Sequence, residues 1–127
     1  MNNRFILDSS AVLAIINLEP GHEHVEPLLD ESAIGTINVA EVLAKLTERG
    51  VLISEAYDDF IQLGINVVPF EMNNVIKTAE LRPLTRHLGL SLGDRACLAL
   101  AIQEKATAVT ADRKWSKLDV CKIEVIR

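Results

Sequence analysis

The sequence predicts a doubly wound α/β fold, with a mostly parallel sheet of about five strands covered by helices on both faces. Short runs of strand character alternate along the chain with longer segments of helical periodicity. The short runs are apolar throughout instead of alternating, as in strands buried on both faces. The chain has 127 residues, 49% hydrophobic and 24% charged. That is enough for one domain over residues 1–127, with a core that needs no disulfide or metal to hold it.

Each element has its own signal. Residues 5–7, Phe-Ile-Leu, are too short for a helix and stop at Asp8, so they read as a central strand. Residues 10–18 read as a helix closed by Glu19-Pro20-Gly21. Residues 22–31 form a short polar helix with Val25, Leu28 and Leu29 on one face, and Ala33-Ile34 follow as a second strand. A strong helix is expected over 38–49, where Val39, Val42, Leu43 and Leu46 make one stripe and Gly50 takes the C-cap. Residues 54–63 repeat that pattern and end at Gly64, and 66–70 give a third strand. The next helix, 72–88, is expected to bend at Pro83 before Gly89. Residues 91–105 are the most apolar helix, and 107–110 and 123–126 supply the fourth and fifth strands.

Cys97 and Cys121 lie far apart among apolar residues with no CxxC spacing, so they read as reduced core residues of a cytoplasmic protein. His22 and His24 lack a third ligand at metal spacing and read as loop or helix-start residues. No apolar stretch approaches the roughly 20 residues of a membrane span, and no secretory signal is expected in the first residues.

Four acids fall at comparable places. Asp8 follows the first strand and Asp112 the fourth; Glu41 and Asp94 lie in the first turns of the 38–49 and 91–105 helices. In a parallel sheet with right-handed crossovers, strand ends and the starts of the following helices share one edge, so the four can converge. Each acid also has a local role open to it. Asp8 can cap the first helix, Asn38–Glu41 and Ser91–Asp94 have capping-box spacing, and Asp112 can open a turn. Capping explains an acid near a helix start, but not why the acid-bearing ends share an edge. Clustered carboxylates without His or Cys suit Mg²⁺, or Mn²⁺, over zinc, and such a site suits phosphodiester cleavage by activated water.

The segments Ile6-Leu-Asp-Ser-Ser-Ala-Val-Leu-Ala, Ile37-Asn-Val-Ala-Glu-Val, Gly89-Leu-Ser-Leu-Gly-Asp-Arg-Ala-Cys and Val109-Thr-Ala-Asp-Arg-Lys-Trp resemble PIN domains. They are most similar to the VapC-type toxins of bacterial toxin–antitoxin systems. The resemblance implies a three-layer α/β/α fold and a metal-dependent endoribonuclease that leaves 5′-phosphate and 3′-hydroxyl ends. It assigns Asp8 and Asp94 as principal ligands of one or two ions, with Glu41 and Asp112 completing the cluster and Ser10 and Thr110 supporting it. A cognate antitoxin and a homodimer are implied as partners, and the apolar helices around 42–46 and 53–63 are candidate surfaces for them.

The acid surplus, 18 Asp+Glu against 13 Lys+Arg, argues at first against an RNA partner. Its placement does not. Residues 82–117 carry seven basic and three acidic residues, a balance of +4 against −9 for the remainder. Arg95, Arg113 and Lys114 in that segment are the expected phosphate contacts, while Trp115 reads mainly as a core or loop anchor. A receiver domain would need an acid pair after the first strand, and a haloacid-dehalogenase phosphatase would need Asp-x-Asp where Asp8-Ser9-Ser10 stands. The alternative from another class is a module of the same fold that binds RNA or protein without cutting.

Overall fold

The computed structural model describes residues 3–127. Five strands form one sheet: β1 (Phe5–Leu7), β2 (Ser32–Gly35), β3 (Asn66–Val68), β4 (Thr107–Thr110) and β5 (Ile123–Val125). Their order is β3-β2-β1-β4-β5, and every pairing is parallel. Parallel neighbours require crossovers, and six α-helices take part in them: α1 (Ser9–Ile16), α2 (His22–Val25), α3 (Thr36–Glu48), α4 (Ile53–Gln62), α5 (Met72–Thr85) and α6 (Leu92–Glu104).

The two-residue period of the strands sorts the core into two layers. Leu7, Ile34 and Val109 face the side covered by α1, α2, α3 and α4. Ile6, Ala33 and Ala108 face the side covered by α5 and α6. Ile6 and Leu7 are both fully buried, each stabilising the fold by roughly 1.5–3 kcal/mol through desolvation. This is why the first strand reads as uninterrupted apolar sequence. The architecture is the three-layer α/β/α arrangement expected. α1 and α6, which flank the central strand on opposite faces, are apolar almost all round: Ala11–Ile15 and Ala96–Ala101 are buried without a break.

Some boundaries differ from the sequence reading. α3 starts at Thr36, not Asn38, with Gly35 as its cap in extended backbone. Asn38 is therefore inside the helix and buried, and does not open it. The polar helix at 22–31 is a single α-turn followed by a 3₁₀ segment, Glu26–Glu31, because Pro27 opens the second piece. α5 carries Pro83 in its last turn and tightens into a 3₁₀ turn at Arg86–Leu88. Gly50 ends α3 at φ +92°, a left-handed conformation where a side chain would be strained. Cys97 is buried and Cys121 half-buried, and both are free thiols.

The chain winds from β1 towards β2 and β3 on one side, and returns to place β4 and β5 on the other. Connections leaving β1 and β4 therefore diverge, which opens a crevice at their C-terminal ends. No helix of the described residues is long and apolar enough to cross a membrane.

Candidate active site

Asp8 lies at the mouth of that opening, directly after β1. Its backbone is tied into the sheet by Asp8 N–H donating to the Val109 carbonyl at 3.0 Å. Its side chain is only 4% exposed. Oδ1 accepts from Ser10 Oγ at 2.7 Å and from the Ala11 backbone N–H at 2.9 Å. Oδ2 accepts from Thr110 Oγ1 at 2.6 Å, across from the end of β4. Asp8 thus does cap α1, and its carboxylate is also held by two hydroxyls. Burial raises its pKa from 3.8 to about 6; the bonds from Thr110, Ser10 and Ala11 oppose the rise, and the like charge of Asp94 adds to it. Among the described residues Asp8 makes no ion pair that would offset the desolvation.

Ser10 and Thr110 are tied in turn. Ser10 Oγ accepts from Ala111 N–H at 2.9 Å, and Thr110 Oγ1 accepts from Asp112 N–H at 3.0 Å. The two supporting hydroxyls therefore fix the Asp8 carboxylate to the turn that carries Asp112.

Glu41 projects from the second turn of α3. Asn38, one turn earlier, donates from Nδ2 to Glu41 Oε1 at 2.9 Å and to the Gly93 carbonyl at 3.1 Å. This single amide joins α3 to the start of α6. The Glu41 carboxylate lies against Gly93 so closely that any Cβ there would overlap it. Gly93 precedes Asp94, so Glu41 reaches the start of α6 through a gap that only glycine leaves open. Asp94 forms the expected capping box: Ser91 N–H donates to its Oδ2 at 3.0 Å, and its own N–H donates to Ser91 Oγ at 3.2 Å. Asp112 caps the 3₁₀ turn Arg113–Lys117, accepting from Lys114 N–H at 3.0 Å.

Asp8, Glu41, Asp94 and Asp112, together with Ser10, line one open crevice of about 520 Å³. The convergence drawn from parallel topology is thus present, and the capping roles of Asp8, Asp94 and Asp112 coexist with it. Among the described residues no group of three or more His, Cys, Asp or Glu side chains stands close enough together to hold a metal ion. Asp94 and Asp112 each spend one oxygen on a backbone N–H, which leaves the other free. The donors are all hard oxygens on a solvent-accessible crevice. That chemistry fits Mg²⁺ or Mn²⁺, which keep much of their water and need few protein ligands.

Residues 5–120 match the family model described as PIN domain. The chain belongs to the PIN domain family. Solved structures place the same fold in toxin–antitoxin complexes. The chain has a TM-score of 0.78 and 19% identity to DNA-bound VapBC from Salmonella typhimurium, with 100% of each chain covered. Against VapBC2 from Rickettsia felis bound to a promoter DNA fragment, the values are 0.75 and 22%, covering 97% of this chain and 98% of that one. A toxin–antitoxin complex from Klebsiella pneumoniae gives 0.75 and 14%, with coverage of 96% and 97%. No curated protein matches the chain in sequence.

The cations lining this PIN domain's crevice are Lys45, Arg49 and Arg127. The three basic residues expected from sequence do not line it. Arg95 donates from Nη1 to the Thr78 carbonyl at 3.1 Å, bracing α6 against α5. Arg113 donates from Nε to the Arg127 carbonyl at 3.0 Å. Lys114 Nζ stands 3.4 Å from the Leu88 carbonyl and 3.9 Å from Asp112 Oδ2, at the rim. Trp115 is fully buried in the layer of α5 and α6, as a core anchor. A helical count from Glu41 was the signal for the other set: Lys45 and Arg49 follow at i+4 and i+8.

Proposed function

We propose that this PIN domain is a Mg²⁺- or Mn²⁺-dependent endoribonuclease, the toxin of a toxin–antitoxin pair acting on cytoplasmic RNA. The observation that supports it is the meeting of four carboxylates from four separate elements on one crevice at the switch point of the sheet. Asp8 and Asp94 are the principal metal-holding residues, with Glu41 and Asp112 completing the set around one or two ions. The bound cation would supply charge against the developing phosphorane oxygens and lower the pKa of an attacking water. Ser10 and Thr110 hold the Asp8 carboxylate in one orientation, so little side-chain freedom is lost when the site is loaded. Asn38 does the same for Glu41. In-line attack of water on the phosphorus, with departure of the 3′-oxygen, leaves 5′-phosphate and 3′-hydroxyl ends.

The partner reading follows from the same likeness. The apolar segment around residues 42–46 cannot supply a docking face, because Val42 and Leu46 are buried in the core. α4 can. Ile53, Tyr57 and Ile61, at i, i+4 and i+8, are 59%, 52% and 51% exposed, while Ala56 and Phe60 on the opposite side are buried. This face is the proposed site for an antitoxin or a second copy of the chain.

The test is cleavage of a single-stranded RNA by the purified protein with Mg²⁺ or Mn²⁺, against the same reaction in EDTA. Cleavage with either metal, abolished by EDTA and leaving 5′-phosphate ends, is the expected result. Binding of RNA without cleavage under either metal would overturn the enzyme reading in favour of a non-catalytic binding module.

A further inference from the structure

An acidic crevice repels the polyanion it is proposed to cut, so the flanking phosphates need cations within about one phosphate spacing of the carboxylates. α3 supplies them. Glu41 and Lys45 stand one turn apart on α3, about 6 Å along its axis, and Arg49 follows four residues later at the C-cap. That interval is comparable with the separation of successive phosphates in an extended single strand. Lys45 has no ion pair or side-chain hydrogen bond among the described residues, although it lines the crevice. Arg49 is held loosely, its Nη1 lying 4.0 Å from Glu19 Oε2. Arg127 also lines the crevice and is anchored by Glu19 Oε1 at 3.3 Å and the Pro20 carbonyl at 3.0 Å. The basic segment at residues 82–117 offers no equivalent run, because none of its basic residues lines the crevice.

We infer that single-stranded RNA leaves the four carboxylates along α3, with its flanking phosphates on Lys45 and Arg49 and with Arg127 beside them. The inference rests on the ribonuclease reading and names the substrate path of that site. Lys45 and Arg49 are positioning residues: they hold phosphates next to the one attacked and touch no reacting atom. Glu19 keeps Arg49 and Arg127 near the crevice until RNA competes for them, a weak tie because both partners of the Arg49–Glu19 pair reach solvent.

The experiment measures binding apart from cleavage. In EDTA, on the Asp8→Asn protein, a fluorescein-labelled short oligoribonucleotide of mixed sequence is titrated and followed by anisotropy at several salt concentrations. Adding Lys45→Glu with Arg49→Glu is expected to raise Kd at least ~10-fold and to flatten the log–log salt slope by about 1.4, the value for two lost single-strand phosphate contacts. Lys105→Glu with Lys122→Glu makes the same charge change at the opposite end of the sheet. It is expected to alter Kd less than about threefold. In the otherwise unaltered protein with metal, Lys45→Ala with Arg49→Ala should raise KM and leave kcat nearly unchanged. An unchanged Kd for the Lys45/Arg49 variant, or equal weakening by both charge reversals, would overturn this path while leaving the ribonuclease reading intact. Absence of cleavage by the unaltered protein with either metal would instead overturn that reading.

Discussion

The two edges of the sheet carry openings of similar size and opposite character. At the C-terminal edge the crevice of about 520 Å³ gathers Asp8, Glu41, Asp94 and Asp112. At the N-terminal edge a groove of about 450 Å³ is lined by Arg4, Lys105 and Lys122, over a floor that includes Phe5, Ile102 and Val120. Helix dipoles account for part of both. Helices that follow the strands begin at the first edge and finish at the second, so acids are stabilised at one and bases at the other. Lys105, the C-cap of α6, and Asp94, in its first turn, are the two ends of one such pairing. Sign of charge alone therefore does not mark a functional site. The difference lies in burial: Asp8 is desolvated and raised to about 6, while Lys105 and Lys122 stay in solvent. On the proposed function, a cation loaded into the crevice would offset that cost.

The comparison breaks most directly if the two edges respond alike. Asp8→Asn is expected to lower metal-dependent RNA cleavage at least ~10³-fold, or about 4 kcal/mol of barrier, whereas Lys122→Ala at the other edge should change it less than twofold. Rates under single-turnover conditions decide between them. Equal retention of activity would leave Asp8 as a cap and nothing more.

The next effect is on stability, in EDTA. Because Asp8 titrates at about 6 in the fold against 3.8 ordinarily, the native state holds the extra proton between those values. Stability therefore falls as pH rises through this window, and the penalty is complete above it. Asp8→Asn removes the penalty and should stabilise the metal-free protein by up to about 3 kcal/mol at pH 8, with the advantage gone near pH 4. Urea denaturation at the two pH values checks the sign, and an advantage that grew on acidification would refute the assignment.

The smallest change sharpens the acidic edge itself. Gly93→Ala places a methyl group on the Glu41 carboxylate, which must shift to make room for it. Cleavage should fall about tenfold. A crystal structure or a Mn²⁺ titration of the variant would show whether Glu41 has been displaced, and unaltered Mn²⁺ affinity together with unaltered cleavage would remove Glu41 from the site.

Much of this was legible in the sequence, for identifiable reasons. Residues 5–7 are a strand buried on both faces, so their pattern is unbroken and their end is marked by Asp8. The shared edge of the four acids followed from parallel topology alone. What escaped was governed by side-chain direction. Asn38 has capping-box spacing to Glu41, but the helix opens two residues earlier on Gly35, and the Asn38 amide turns inward to link Glu41 and Gly93. Arg95 adjoins Asp94 in sequence, yet on a helix the next residue points about 100° away, and its guanidinium reaches α5. Cations on the crevice wall come instead from one and two turns after Glu41, and from the last residue of the chain, which β5 brings back beside α1. A running charge balance is blind to both.

The bond between Asp8 and Thr110 closes a loop of 102 positions. Nothing local can stand in for it. Contacts of such sequence separation form only after the chain has met the entropy of closing the intervening loop, and they tend to be late events in folding. A nascent chain that has emerged only as far as α6 already carries Asp8, Glu41 and Asp94, but not the β4 strand against which Asp8 is oriented. The crevice is therefore complete only once β4 has paired with β1, because that one strand brings both the hydroxyl that orients Asp8 and the turn that carries Asp112.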